Sequence, residues 1–180
     1  MAHFEQMQFV EETKRIFPES FSGVSVLEVG SMNINGSVRM FFDGCRYIGL
    51  DVVPGPGVDA VSPAHLFQAP EGTFDTIISC ESMEHDQHWQ ATLLHIFRML
   101  RPGGLLVFTC ASGARAEHGT RRTSPGDSGT SMLDGWGDYY RNLNPEDVRE
   151  VLDLDALFPG HMLQQVRCGL DMQFRGIKRA

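Results

Sequence analysis

Apolar residues recur along this chain in two rhythms. Phe4, Met7, Val10, Ile16 and Phe17 fall at roughly helical spacing ahead of Pro18, which predicts an amphipathic helix over 4–17 that the proline closes. Residues 24–29 form a short β-branched run that stops at Gly30, the pattern of a buried strand followed by a turn. After a short helix over 38–42, residues 47–52 read as a second strand, and Pro54-Gly55-Pro56-Gly57 must be irregular. A very short third strand over 58–61 and a clear fourth over 74–80 follow. Residues 87–100 carry Trp89, Leu93, Ile96, Phe97 and Leu100 on one helical face. Asp86 is placed to cap that helix, and Pro102-Gly103-Gly104 to stop it. Residues 105–110 are a fifth strand, apolar throughout.

Strands without polar alternation are typical of a parallel sheet covered on both faces. Near the C-terminus Asn144, Pro145 and the acids Glu146 and Asp147 open a helix expected to run to residue 154. Two further strands, 164–168 and 172–178, are joined by Gly169-Leu170-Asp171 as an antiparallel hairpin at a sheet edge. The expected fold is α/β: one Rossmann-like domain over 1–180, with a mostly parallel central sheet, a C-terminal antiparallel hairpin and helices on both faces. Cys80 and Cys110 should then end neighbouring strands. Residues 111–143 show no periodicity and are rich in Gly, Ser, Thr, Asp and Arg. A loop of that length in a compact domain is expected to act as a lid or binding loop.

Composition narrows the classes. The chain has 180 residues, 42% hydrophobic and 21% charged, which excludes disorder, collagen and coiled coil as the main state. No run reaches the roughly 18 apolar residues of a membrane span. The start lacks an apolar signal core, so a cytoplasmic location is expected and no membrane partner. A net charge of −8 argues against a face built to neutralise phosphates, and no nucleic acid is expected. Cys45, Cys80, Cys110 and Cys168 are scattered without a CxxC, as reduced thiols are.

In an open α/β sheet, ligands bind beyond the carboxyl ends of the strands. Three carboxylates stand at those ends: Glu28, Asp51 and Glu81. A carboxylate there is costly to bury alone and well explained if a ligand donates to it. Asp51 lies about twenty residues past the first glycine turn, where an acid binds ribose hydroxyls. The turn itself, Gly30-Ser31-Met32-Asn33-Ile34-Asn35-Gly36, lacks the second glycine that lets backbone approach a pyrophosphate. A nicotinamide-dependent reductase is therefore disfavoured. Glu28, just before the turn, suits an ammonium or sulfonium. A positively charged nucleoside, S-adenosylmethionine, fits both features. That reading requires an open crevice towards which Glu28 and Asp51 both turn.

Leu27-Glu28-Val29-Gly30, Gly49-Leu50-Asp51, Phe74-Asp75-Thr76-Ile77-Ile78, Met83-Glu84-His85 and Leu100-Arg101-Pro102-Gly103-Gly104 occur in order. Together they resemble the class I S-adenosylmethionine-dependent methyltransferases, in the small type-11-like branch, over about residues 24–112. The resemblance implies that Glu28, Val29, Gly30 and Ser31 hold the methionine part, that Asp51 binds the ribose, and that Val52 lines the adenine side. Ala64 and His65 lie where the family places adenine contacts, with Pro63 where its acid is expected, and Cys80 closes the fourth strand beside the cofactor. The product would be S-adenosylhomocysteine.

Methyl transfer is an in-line displacement, so the protein mainly aligns the partners and excludes water. For a hydroxyl acceptor a neutral histidine can take the proton. His85 is the best-placed candidate, then His118, then Glu81. Glu84 and His85 are equally suited to capping and packing the next helix. A metal held by Glu84, His85 and His88 would crowd one short turn, and no metal is expected. Arg121 and Arg122 can clamp an acidic acceptor, or form a solvated loop. Trp136, Tyr139 and Tyr140 are expected to anchor the loop and shape the pocket. The chain has little beyond the sheet, which favours a small-molecule acceptor methylated at oxygen, with nitrogen and carbon behind. The rival is a catalytically silent nucleoside-binding module or partner subunit of the same fold.

Overall fold

The computed structural model describes residues 4–180. Among these residues seven strands form one sheet in the order β3-β2-β1-β4-β5-β7-β6. They are β1 (Ser25–Val29), β2 (Arg46–Asp51), β3 (Ala60–Val61), β4 (Phe74–Cys80), β5 (Leu100–Ala111), β6 (Met162–Val166) and β7 (Asp171–Ile177). The first five pair in parallel, while β7 runs antiparallel to both β5 and β6. The α/β class, the parallel centre and the edge hairpin are those the apolar runs predict.

Each sheet face is covered. On one, Phe9 and Val10 of α1 (Phe4–Ile16) pack with Phe21, Val26, Ile78 and Val107. On the other lie α2 (Trp89–Met99), α3 (Pro145–Val151) and α4 (Leu154–Leu157). Their Leu93, Ile96, Val148 and Leu154 meet Leu27, Ile77 and Leu106. Phe108 and Phe174 stack at 4.9 Å across β5 and β7, and Phe158 meets Phe174 edge-on at 5.4 Å. Those rings bind the hairpin to the parallel sheet, since aromatic pairs add to what area burial alone supplies.

Several boundaries differ from expectation, three of them for a clear local reason. Asp86 precedes α2 by more than one residue: its carboxylate takes the His88 amide at 2.7 Å and the Thr92 hydroxyl at 2.5 Å, so the helix begins at Trp89. That helix ends at Met99 and β5 begins at once; Arg101 to Gly104 form an irregular entrance where the pairing with β4 shifts register. The helix expected over 145–154 breaks after Val151, because Asp153 caps α4 by accepting the Ala156 amide at 3.1 Å. Cys80 pairs with Thr109, so Cys80 and Cys110 do end neighbouring strands. Among the described residues no helix is long and apolar enough to cross a membrane.

Candidate active site

The site is built where β1, β2, β4 and β5 end on one rim. Gly30 leaves β1 with φ +78°, and a Cβ there would stand 2.3 Å from Ser82 Cβ. Only glycine lets the first turn pass this close to the segment after β4. The turn then folds onto Asp51, whose Oδ2 accepts the Met32 amide at 3.0 Å and whose Oδ1 accepts the Val52 amide at 2.8 Å. Burial pushes the Asp51 carboxyl above its usual range, against the pull of those amides. A carboxylate in this setting gains from further donors such as ribose hydroxyls.

Above this rim is a cavity of about 70 Å³ walled by Val29, Gly30, Asp51, Val52 and Ala64 on the sheet side. Its outer wall is Asp127 to Thr130 and Trp136, all from the long loop. Gly129 sits so low that a Cβ would meet Val53 Cγ2 at 2.4 Å and Met32 Cε at 3.2 Å. The space holds a few waters, whereas small-molecule pockets run to about 300–1,000 Å³. The crevice is therefore present at the expected rim, and the long loop lies across it and narrows it.

Four expected cofactor residues stand outside that wall. Glu28 pairs in register with Gly49 and therefore shares a sheet face with Asp51, but one layer below the tip. There it is 5% exposed and accepts the Tyr47 hydroxyl at 2.9 Å. Burial raises its carboxyl to about 7. Ser31 turns back towards Gly49, its buried Oγ without a partner. His65 lies against the His88 ring at 4.3 Å. Cys80 is buried in the cluster under α1, where burial pushes its thiol up to about 12.

A second cavity of about 370 Å³ adjoins the first and shares Glu81, His85 and Asp127 with it. His118 lines its far side. The three expected catalytic candidates thus stand around one space. Glu81 holds φ +53°, rare for a side-chain-bearing residue. Its carboxylate accepts the Thr109 hydroxyl at 3.0 Å and pairs with Arg115, which also bridges to Asp171 at 2.7 Å. Burial raises Glu81, with Glu84 adding to the effect. Burial, aided by His118, lowers His85 to about 3, so its ring is neutral at physiological pH. His85, His118 and Tyr140 form a triangle of ring contacts with centroids 5.0–5.5 Å apart.

The expected acceptor residues divide. Trp136 walls the first cavity and Tyr140 backs the two histidines. Arg121 is bound to Ser131 O at 3.1 Å and Asp134 at 2.9 Å. Arg122 is bound to Glu117 at 2.9 Å and Asp138 O at 2.7 Å. Both guanidinium groups brace the loop, and neither lines these two cavities. Tyr139 lines neither as well. Sequence reading passed over Arg115, Asp171 and the Asp127–Thr130 wall. Nothing in their spacing marks them, since Arg115 meets Asp171 only through the antiparallel return of β7.

This fold is that of the class I methyltransferases. The model of the methyltransferase domain family matches residues 1–153, and the chain belongs to that family. No curated protein sequence matches it. Among solved structures the chain is similar to 1,6-didemethyltoxoflavin-N1-methyltransferase of Burkholderia thailandensis bound to S-adenosylhomocysteine. The identity is 17%, the TM-score 0.66, and 97% of this chain and 78% of that one are covered. It is also similar to phosphoethanolamine N-methyltransferase 2 of Haemonchus contortus bound to S-adenosyl-L-methionine, at 15% identity and TM-score 0.68. There 98% of this chain covers 53% of that one, about half its length. The [4+2]-cyclase SpnF, at 13% identity and TM-score 0.66, covers 97% of this chain and 81% of its own.

Proposed function

We propose that the chain transfers a methyl group from S-adenosylmethionine to an oxygen of a small-molecule acceptor. The observation that carries this reading is the pair of adjoining cavities with His85 and Glu81 in their shared wall. The first takes the nucleoside: Asp51 accepts from the ribose, Val29 and Gly30 face the methionine part, and Val52 and Ala64 flank the adenine. Glu28 acts from beneath the turn, by holding the Tyr47 hydroxyl. The second cavity takes the acceptor. In the reaction the sulfur–methyl bond breaks as the oxygen–methyl bond forms, the sulfonium charge disappears, and the acceptor's hydroxyl proton departs. Displacement needs the three centres in line and water kept out. The Asp127–Thr130 segment supplies that exclusion and must first lift to admit the cofactor. His85 is placed to accept the proton, but a ring so weakly basic does so only for an acceptor hydroxyl already acidified. The net charge of −8 supports a small molecule over a nucleic acid, and the cytoplasm remains the expected compartment.

A second reading, a silent nucleoside-binding module, is favoured by one feature: the cavity is narrowed by the chain's own loop. Incubation with S-adenosylmethionine and a panel of small hydroxyl, carboxyl and amine compounds, reading S-adenosylhomocysteine release, separates the two. Release driven by oxygen acceptors is expected. Release driven by amines alone moves the reaction to nitrogen, and binding without release establishes the silent module.

A further inference from the structure

Beside the shared wall lies a group of side chains that the methyl-transfer reading leaves unexplained. Glu84 is fully buried, and its Oε2 has no hydrogen-bond partner. Its Oε1 accepts the Ala111 amide at 3.2 Å. Arg115, the nearby guanidinium, is engaged by Glu81 and Asp171. His85 Nδ1 is likewise buried without a partner. A carboxylate oxygen and an imidazole nitrogen left unpartnered out of water are each costly to bury, and a ligand that takes their lone pairs relieves that cost. His118 arrives from the long loop with Nε2 4.0 Å from Glu84 Oε1. One ligand atom from each of Glu84, His85 and His118 lies within 4.8 Å of the other two.

We propose that Glu84, His85 and His118 form a site for one divalent transition-metal ion of the zinc class. Two imidazoles and one carboxylate suit Zn²⁺, Co²⁺ or Fe²⁺, whereas Mg²⁺ and Ca²⁺ prefer all-oxygen sites. An ion about 2.0–2.2 Å from each atom draws the three ligands together by roughly an ångström. Their orientation is already set from behind. The Ala116 carbonyl lies 3.1 Å from His118 Nδ1, so the proton stays on that nitrogen and Nε2 turns to Glu84. The 3-10 turn Met83–His85 fixes the other two ligands side by side. His88 does not take part; its ring sits between His65 and Trp136. With three protein ligands the fourth position stays open, and the 370 Å³ cavity lined by His85 and His118 adjoins it. Resting on the methyl-transfer reading, the open position takes the acceptor oxygen and lowers the pKa of its hydroxyl, the acidification a weak base requires. As a ligand His85 is then not itself the base.

The test uses the full chain after chelator treatment, without S-adenosylmethionine. Zn²⁺ is titrated by calorimetry, and Co²⁺ by its visible absorption. One equivalent should bind, Mg²⁺ should not displace it, and His118→Ala should weaken it by at least about tenfold. Glu84→Gln should do the same, with circular dichroism checking its fold; His118, on the loop, keeps the test decisive if Glu84→Gln fails to fold. No uptake by the wild type, equal uptake by His118→Ala, or equal competition by Mg²⁺ overturns the site. S-adenosylhomocysteine binding, measured separately, keeps the two ideas apart. Nucleoside binding without metal uptake rejects only the metal site, and metal uptake without nucleoside binding rejects only the methyl-transfer reading.

Discussion

Replacing Glu28 by glutamine tests the electrostatics beneath the rim. The carboxyl is 5% exposed, bonded to the Tyr47 hydroxyl, and raised by burial from 4.5 to about 7. Arg39 pulls against that rise and Asp51 adds to it. The folded state therefore holds a proton that the unfolded chain releases. Stability from this group is fully present below pH 4.5 and is lost as pH climbs through about 7. A rise of that size corresponds to roughly 3 kcal/mol in total, of which about 2–3 kcal/mol falls between about pH 5 and about pH 8. Glutamine keeps the shape and an acceptor for Tyr47 but carries no titrating proton. Urea unfolding of both proteins at the two pH values should show Glu28→Gln gaining that amount relative to wild type as pH rises. Parallel pH profiles would refute the buried, protonated Glu28.

Other outcomes follow from the same packing. Arg115→Ala leaves Glu81 and Asp171, each 2% exposed, without their shared cation, and urea unfolding should show a loss of about 3–5 kcal/mol. Gly30→Ala forces a methyl to within 2.3 Å of Ser82 Cβ at a positive φ; a loss of at least about 1–3 kcal/mol is expected, with weakened S-adenosylhomocysteine binding in a thermal-shift titration. Because the loop must lift to admit the cofactor, hydrogen exchange at Gly129 to Met132 should slow when S-adenosylhomocysteine is bound; exchange indifferent to ligand would leave the loop a fixed wall.

Much of the sheet was legible because its strands are continuous apolar runs. β4 falls on its expected residues, and β1, β2 and the hairpin fall within a few positions. Breaks set by one polar side chain were not legible: the Asp153 cap that splits the last helix, and the Asp86 carboxylate that delays α2. The site was legible in part. Asp51 and Gly30 reach the cavity because a strand tip has few directions to point, and Ala64 reaches it from the 3-10 turn after β3. Glu28 shows the limit. It shares a face with Val26 by strand alternation, and whether it reaches a ligand depends on Tyr47 across the sheet. Arg121 and Arg122 look free in a polar loop, yet each is consumed by an acid or carbonyl of the same loop. The nearness of His118 to Glu84 rests on loop closure, which no periodicity encodes.

Calorimetric titration of S-adenosylhomocysteine into the wild type and Asp51→Ala tests the nucleoside site most directly. One binding site in the wild type, weakened by about 1–3 kcal/mol in the variant, is the expected result. A wild type that takes up no nucleoside, or a variant that binds it as tightly, contradicts the placement of the cofactor on this rim.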